Sequence, residues 1–97
     1  MSYKLTSIDN IDVKEDPVRP ELTVEFRTSE GRKIYALIND NGERAATICV
    51  AFTKAVPTNL RELDKFTDAD GHIAVAYTVW SKERGAGRLI VNQLIAH

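Results

Sequence analysis

Ninety-seven residues with a formal net charge of -1 make one small domain with room for a single core and little margin. No apolar run reaches membrane-spanning length, no apolar block opens the chain as a secretion signal would, and a lone cysteine, Cys49, excludes an internal disulfide. A reducing, cytoplasmic setting is therefore expected.

In chain order, residues 3–8 form a short candidate strand, and residues 9–20 are acidic, contain Pro17 and Pro20, and hold no sustained period. They read as an ordered loop or a flexible arm. Over residues 22–27, apolar Leu22, Val24 and Phe26 alternate with Thr23, Glu25 and Arg27, which predicts a strand with one wet face. Ser29-Glu30-Gly31 turns the chain into a strand over residues 33–38. Asn39-Asp40-Asn41-Gly42 then signals a hairpin, because Asn and Gly both accept positive φ. The strand over residues 44–53 places Ala46, Ile48, Val50 and Phe52 on one face and Thr47, Cys49 and Ala51 on the other.

Pro57 stops that strand. Asn59 followed by Glu62 has the spacing of a capped helix start, with Leu60, Leu63 and Phe66 on one side, and predicts two turns at most. Asp68-Ala69-Asp70-Gly71 turns the chain again, and residues 73–80 alternate as a strand. Ser81 opens a basic glycine turn, Lys82-Glu83-Arg84-Gly85-Ala86-Gly87-Arg88, after which residues 89–95 are apolar at helical spacing. The fold class is α+β: an antiparallel β-meander followed by a strand, a glycine loop and a helix, in one domain over residues 1–97. That helix reaches His97 with no Gly, Asn or Pro stop signal, so the expected chain is either the N-terminal portion of a longer protein or one whose fold another chain completes.

Charge is uneven along this order. Residues 1–71 hold ten Lys/Arg against thirteen Asp/Glu, and residues 72–97 hold three against one. The positive charge gathers at the glycine turn, which fits one local anionic group and not the extended backbone of a nucleic acid. Glycines let main chain approach an anion, and amides at a helix start lack intrahelical acceptors and carry the positive end of the dipole. Lys82, Arg84 and Arg88 add mobile charge.

The sequence Lys82-x-x-Gly85-x-Gly87, placed after a strand and opening a helix, resembles the coenzyme A pyrophosphate loop of the GCN5-related N-acetyltransferases, whose usual form begins with Arg or Gln. Lysine keeps the charge and gives up the guanidinium fork. The resemblance covers the last 26 residues well and residues 33–54 more loosely. It implies that residues 73–80 correspond to the family's fourth strand, beside which pantetheine lies as though it were another strand. Main-chain groups near Val79 and Ser81 would then bond the pantetheine, and Lys82, Arg84, Gly85, Ala86, Gly87 and Arg88 would hold the pyrophosphate. Acetyl-CoA would be the cosubstrate, an amine the acceptor, and the reaction direct attack on the thioester, helped by a base and by oxyanion-stabilising amides.

The resemblance carries no catalytic pair onto this chain. Residues 74–81 contain no carboxylate, Tyr77 and Glu62 are the nearest candidates for a base, and the family's tyrosine acid follows a fifth strand that is not in the sequence. The family also places two helices between its first and second strands, where only the turn at Gly31 is expected here. Proteins of this look occur among short reading frames of bacterial viruses, which implies a phage source.

Other readings fit less well. A dinucleotide-binding turn wants Gly or Ala where Ile90 stands. A calcium loop ending at Asp68-Ala69-Asp70-Gly71 would need its first ligand where Phe66 stands. His72 and His97 are isolated, so no metal is expected, and Cys49 reads as a buried small hydrophobe. From a different class, a non-catalytic module would use the unpaired edge of residues 73–80 to dock a complementing chain or a second copy of itself.

Overall fold

The computed structural model describes residues 3–96. Met1, Ser2 and His97 lie outside them, and with His97 one member of the histidine pair considered above. Four strands, β1 (Lys4–Ile8), β2 (Arg32–Ile38), β3 (Arg44–Thr53) and β4 (Ile73–Ser81), form one antiparallel sheet in sequence order. Helix α1 (Val24–Arg27) precedes β2, α2 (Leu60–Phe66) joins β3 to β4, and α3 (Ala86–Ala96) follows β4. This is the α+β meander with a final strand, turn and helix that the sequence predicts.

The sheet buries both faces, by different means. Leu37, Ala46, Ile48 and Val50 meet Ala86 and Ile90 of α3 on one face. On the other, Ile34, Cys49 and Trp80 lie under Ile11, with Ile8, Val13, Val24 and Tyr77 around them. The cover on that second face is the segment 9–30, which is therefore an ordered arm. It contains a single 3-10 turn, Val13–Glu15, capped by Asp12.

One prediction fails within the arm. Residues 22–27 hold no strand: Val24–Arg27 is one helical turn whose N-cap Thr23 accepts the Phe26 amide at 3.1 Å. The alternation of Leu22, Val24 and Phe26 gives way to a tertiary demand, the burial of Arg27. Its side chain has no exposure, and neither has that of Asp16, whose Oδ2 lies 2.8 Å from Arg27 Nη1. The guanidinium also donates to the carbonyls of Leu22 at 3.0 Å and Arg19 at 2.7 Å and to Cys49 Sγ at 3.5 Å. Asp16 Oδ1 accepts from the Val18 and Arg19 amides, and the Thr78 hydroxyl of β4 donates to the same carboxylate. The pair thus fastens the arm to β3 and β4 with nearly every polar atom matched, the condition under which a buried ion pair is tolerated.

Two smaller differences concern the hairpin turn and a strand. The β2–β3 hairpin forms, but only Gly42 takes positive φ, at 78°. Asn39 closes the loop instead, its Oδ1 accepting the amides of Asn41 and Glu43. In β4, a register shift opposite Cys49 and Val50 leaves Tyr77 unmatched, since Cys49 pairs with Thr78 and Val50 with Ala76. That β-bulge lies at the middle of an edge strand.

Burial alone would push the Asp16 carboxyl up. The Arg19 and Val18 amides, the Arg27 guanidinium and the Thr78 hydroxyl outweigh it and hold the group below its ordinary value. A carboxyl depressed in the fold adds stability that is complete above its unfolded value of about 3.9 and is lost as pH falls through the folded value. Urea titrations are therefore expected to show wild-type stability falling below about pH 4, with a smaller acid dependence in Asp16→Asn. Arg27→Met, which leaves the carboxylate buried and unpaired, is expected to lose about 3–5 kcal/mol.

Candidate functional site

The turn between β4 and α3 is shorter than its sequence implies. Helix α3 begins at Ala86, not at residue 89, so Gly87 and Arg88 belong to its first turn. Gly85 takes φ +83° in open space, a conformation that favours glycine and lets the chain reverse from strand to helix. A glycine there has no side chain with which to cap. The other helical starts are capped: Asp12, Thr23 and Asn59 each accept a first-turn amide.

The amides of this turn can be followed one by one. Those of Lys82 and Glu83 bond the Ala45 carbonyl, that of Ala86 bonds Glu83, and that of Leu89 bonds Gly85. The amides of Arg84, Gly85, Gly87 and Arg88 have no acceptor among the described residues. Arg84, Gly85 and Arg88 are exposed, while Ala86 packs inward. Free donors therefore stand at the positive end of a helix of eleven residues.

The charged groups divide in two. Lys82 is paired, though exposed: its Nζ lies 3.3 Å from Glu15 Oε1, and the same carboxylate binds Arg44, which links the arm to the turn. Glu83, the carboxylate nearest the helix start, accepts the Tyr3 hydroxyl at 3.0 Å and the Asn39 amide at 2.8 Å. Arg84 and Arg88 make no ion pair among the described residues. The first turn of α3 holds no acidic residue, so the helix dipole opposes both arginines until an anion joins them. A cavity of about 270 Å³ opens here, lined by Tyr3, Arg84, Arg88, Leu89 and Asn92 among others.

Val79 and Ser81 lie on β4, at the outer edge of the sheet. The Lys82 amide points to Ala45 of β3, and main-chain direction alternates along a strand, so Trp80 and Thr78 also face β3 while Val79 and Ser81 face the free edge. All eight residues singled out at this site thus fall on one continuous stretch.

The two base candidates do not join them. Burial pushes the Tyr77 phenol far up, and among the described residues neither its buried hydroxyl nor Trp80 Nε1 has a hydrogen-bond partner. Glu62 accepts the Thr58 hydroxyl and amide at the start of α2, and those bonds hold its carboxyl below the ordinary value. The feature that sequence reading missed is Glu15, whose role appears only when the arm folds back across the sheet. Among the described residues, no group of three or more His, Cys, Asp or Glu is placed to hold a metal ion, and no helix is long and apolar enough to cross a membrane.

The two glycines make opposite predictions. A Cβ on Gly87 would meet nothing closer than Ser81 Oγ at 3.7 Å, so Gly87→Ala is expected to stabilise the chain by up to ~1 kcal/mol. Gly85→Ala, at positive φ, is expected to lose ~1 kcal/mol or more. Thermal unfolding of both variants measures these signs. The fold itself does not require the glycine at 87. No family model, no curated protein and no solved structure matches this chain.

Proposed function

We propose that the chain binds acetyl-CoA at the β4–α3 turn and directs its acetyl group to an amine. The observation that carries this reading is the set of amides at Gly87 and Arg88, unpaired among the described residues, beside two arginines that no described acid neutralises. A diphosphate supplies the negative charge and the acceptors which that arrangement lacks. The order of elements adds support. A strand, an arm with two single helical turns, two strands, a short helix, a strand, a glycine turn and a helix follow one another, and a helical connection between the first and second strands is what the resemblance calls for.

The residues fit the group in three respects. Gly85 provides the reversal, Gly87 presents backbone without a side chain beside Ser81, and Val79 and Ser81 turn main-chain groups toward a ligand laid along β4. Arg84 and Arg88 would take the phosphates, and Lys82 would join them on leaving Glu15. Bound coenzyme supplies an acetyl thioester. The amine nitrogen forms the new bond to the carbonyl carbon, the carbon–sulfur bond breaks, and the thiolate leaves. The free amides of β4 are the chain's donors toward the carbonyl oxygen. With no carboxylate on residues 74–81, the Tyr77 phenol buried and held protonated, and Glu62 bonded to Thr58, the amine proton goes to water.

That same missing base favours a second reading, a module that binds the coenzyme or a protein partner without transfer. Calorimetry separates the cases. Acetyl-CoA is expected to bind, with affinity falling about tenfold on Arg84→Gln and again on Arg88→Gln, and falling in high salt. Absence of heat with both acetyl-CoA and CoA overturns the proposal. If transfer occurs, its rate is expected to climb with pH in step with the free-amine fraction, because no group of the chain serves as base. Binding with no acetylated product at any pH selects the second reading.

A further inference from the structure

The sheet has two edges, and the chain treats them differently. The β1 edge is five residues long, with Lys4 and Ser7 exposed along it. Short length and an edge lysine are devices that keep strands from pairing with other chains. The β4 edge is nine residues long, Ile-Ala-Val-Ala-Tyr-Thr-Val-Trp-Ser, with neither charge nor proline. Among the described residues, no strand pairs with its outer side.

The chemistry at the two ends of β4 names the occupant. At the N-terminal end Asp70 is exposed and makes no ion pair among the described residues, and Asp68 beside it pairs with Lys54. At the C-terminal end stands Arg84, also exposed and unpaired. A strand that is acidic at its start and basic at its finish is complementary to itself when antiparallel, and repels itself when parallel.

We infer that the free edge of β4 pairs antiparallel with β4 of a second copy of this chain, about a twofold axis beside Tyr77. The bulge at Tyr77 lies at the axis, so the half before it meets the half after it. Facing follows from the register: Ala74, Ala76, Val79 and Ser81 lie on the α3 side of the sheet, opposite Phe52, Val50, Ile48 and Ala46. Val79 and Ser81 also turn main-chain groups outward. Setting Ala76 against Val79 of the other copy and Ala74 against its Ser81 keeps faces matched across the seam, small residues opposite larger ones. The same register sets the Asp70 end of each strand toward the Arg84 end of the other. This inference stands apart from the coenzyme reading, since it needs no phosphate. The two uses of the edge exclude each other, because both engage the main chain at Val79 and Ser81.

Sedimentation of the full chain tests it. The expected result is a species of twice the chain mass at micromolar concentration, dissociating in high salt. Asp70→Arg and Arg84→Asp should each weaken association about tenfold, two symmetric pairs being lost, and the double exchange should restore it. Ala76→Pro, at an edge position where proline is tolerated, should give a folded monomer by circular dichroism. A monomer at every concentration, a dimer that survives Ala76→Pro, or a double exchange that fails to recover would each overturn the inference. Calorimetry on the Ala76→Pro monomer reads coenzyme affinity with the edge unpaired, so failure of one proposal does not mimic failure of the other.

Discussion

The arrangement depends on one buried ion pair. Asp16 and Arg27 are eleven residues apart, in a stretch that otherwise holds to the sheet through Ile11, Val13, Val24 and Glu15. Two charges without solvent need nearly complete hydrogen bonding, and these find it only if segment 9–30 wraps onto the sheet. There Arg27 meets Cys49 of β3 and lies 5.9 Å from the Trp80 ring, and Asp16 takes the Thr78 hydroxyl. The pair turns a loop into the second layer of the core. It also fixes β4 on the side opposite α3, just before the turn that is proposed to bind.

From that constraint the site follows. The arm, once fixed, brings Glu15 to Lys82 and Arg44, restraining the first residue of the basic turn. On the other face, Ala86 and Ile90 anchor α3 by its inward side, leaving Arg84, Gly85 and Arg88 outside. Rigid support therefore lies beneath a helix start whose amides and arginines are unspent. A structural corner would ordinarily cap that start with a side chain and keep arginines from it. Here a glycine occupies the cap position, and the fold gains nothing from the second glycine at 87.

Elements governed by local chemistry were legible in the sequence. The strand over residues 44–53 shows clean alternation and matches β3, and the Asn59–Glu62 spacing produced the expected short helix. The residues of the basic turn were legible as well, because glycine spacing after a strand is a local signal. What was not legible is what acts at a distance. Leu22, Val24 and Phe26 alternate as a strand would, yet Arg27 must reach Asp16, and six residues carry no trace of that partner. Glu15 was hidden for the same reason. The bulge at Tyr77 left no mark either, since a single extra residue in a strand shows only when its neighbour's register is known.

The central claim is that the amides opening α3 form an anion cradle in use. Amide-resolved NMR of the full chain during an acetyl-CoA titration tests it most directly. Saturable shifts are expected, centred on the amides of Gly85, Gly87 and Arg88 and extending to Val79 and Ser81. Shifts confined to other parts of the chain, or no shift at these amides at saturating coenzyme, would contradict it.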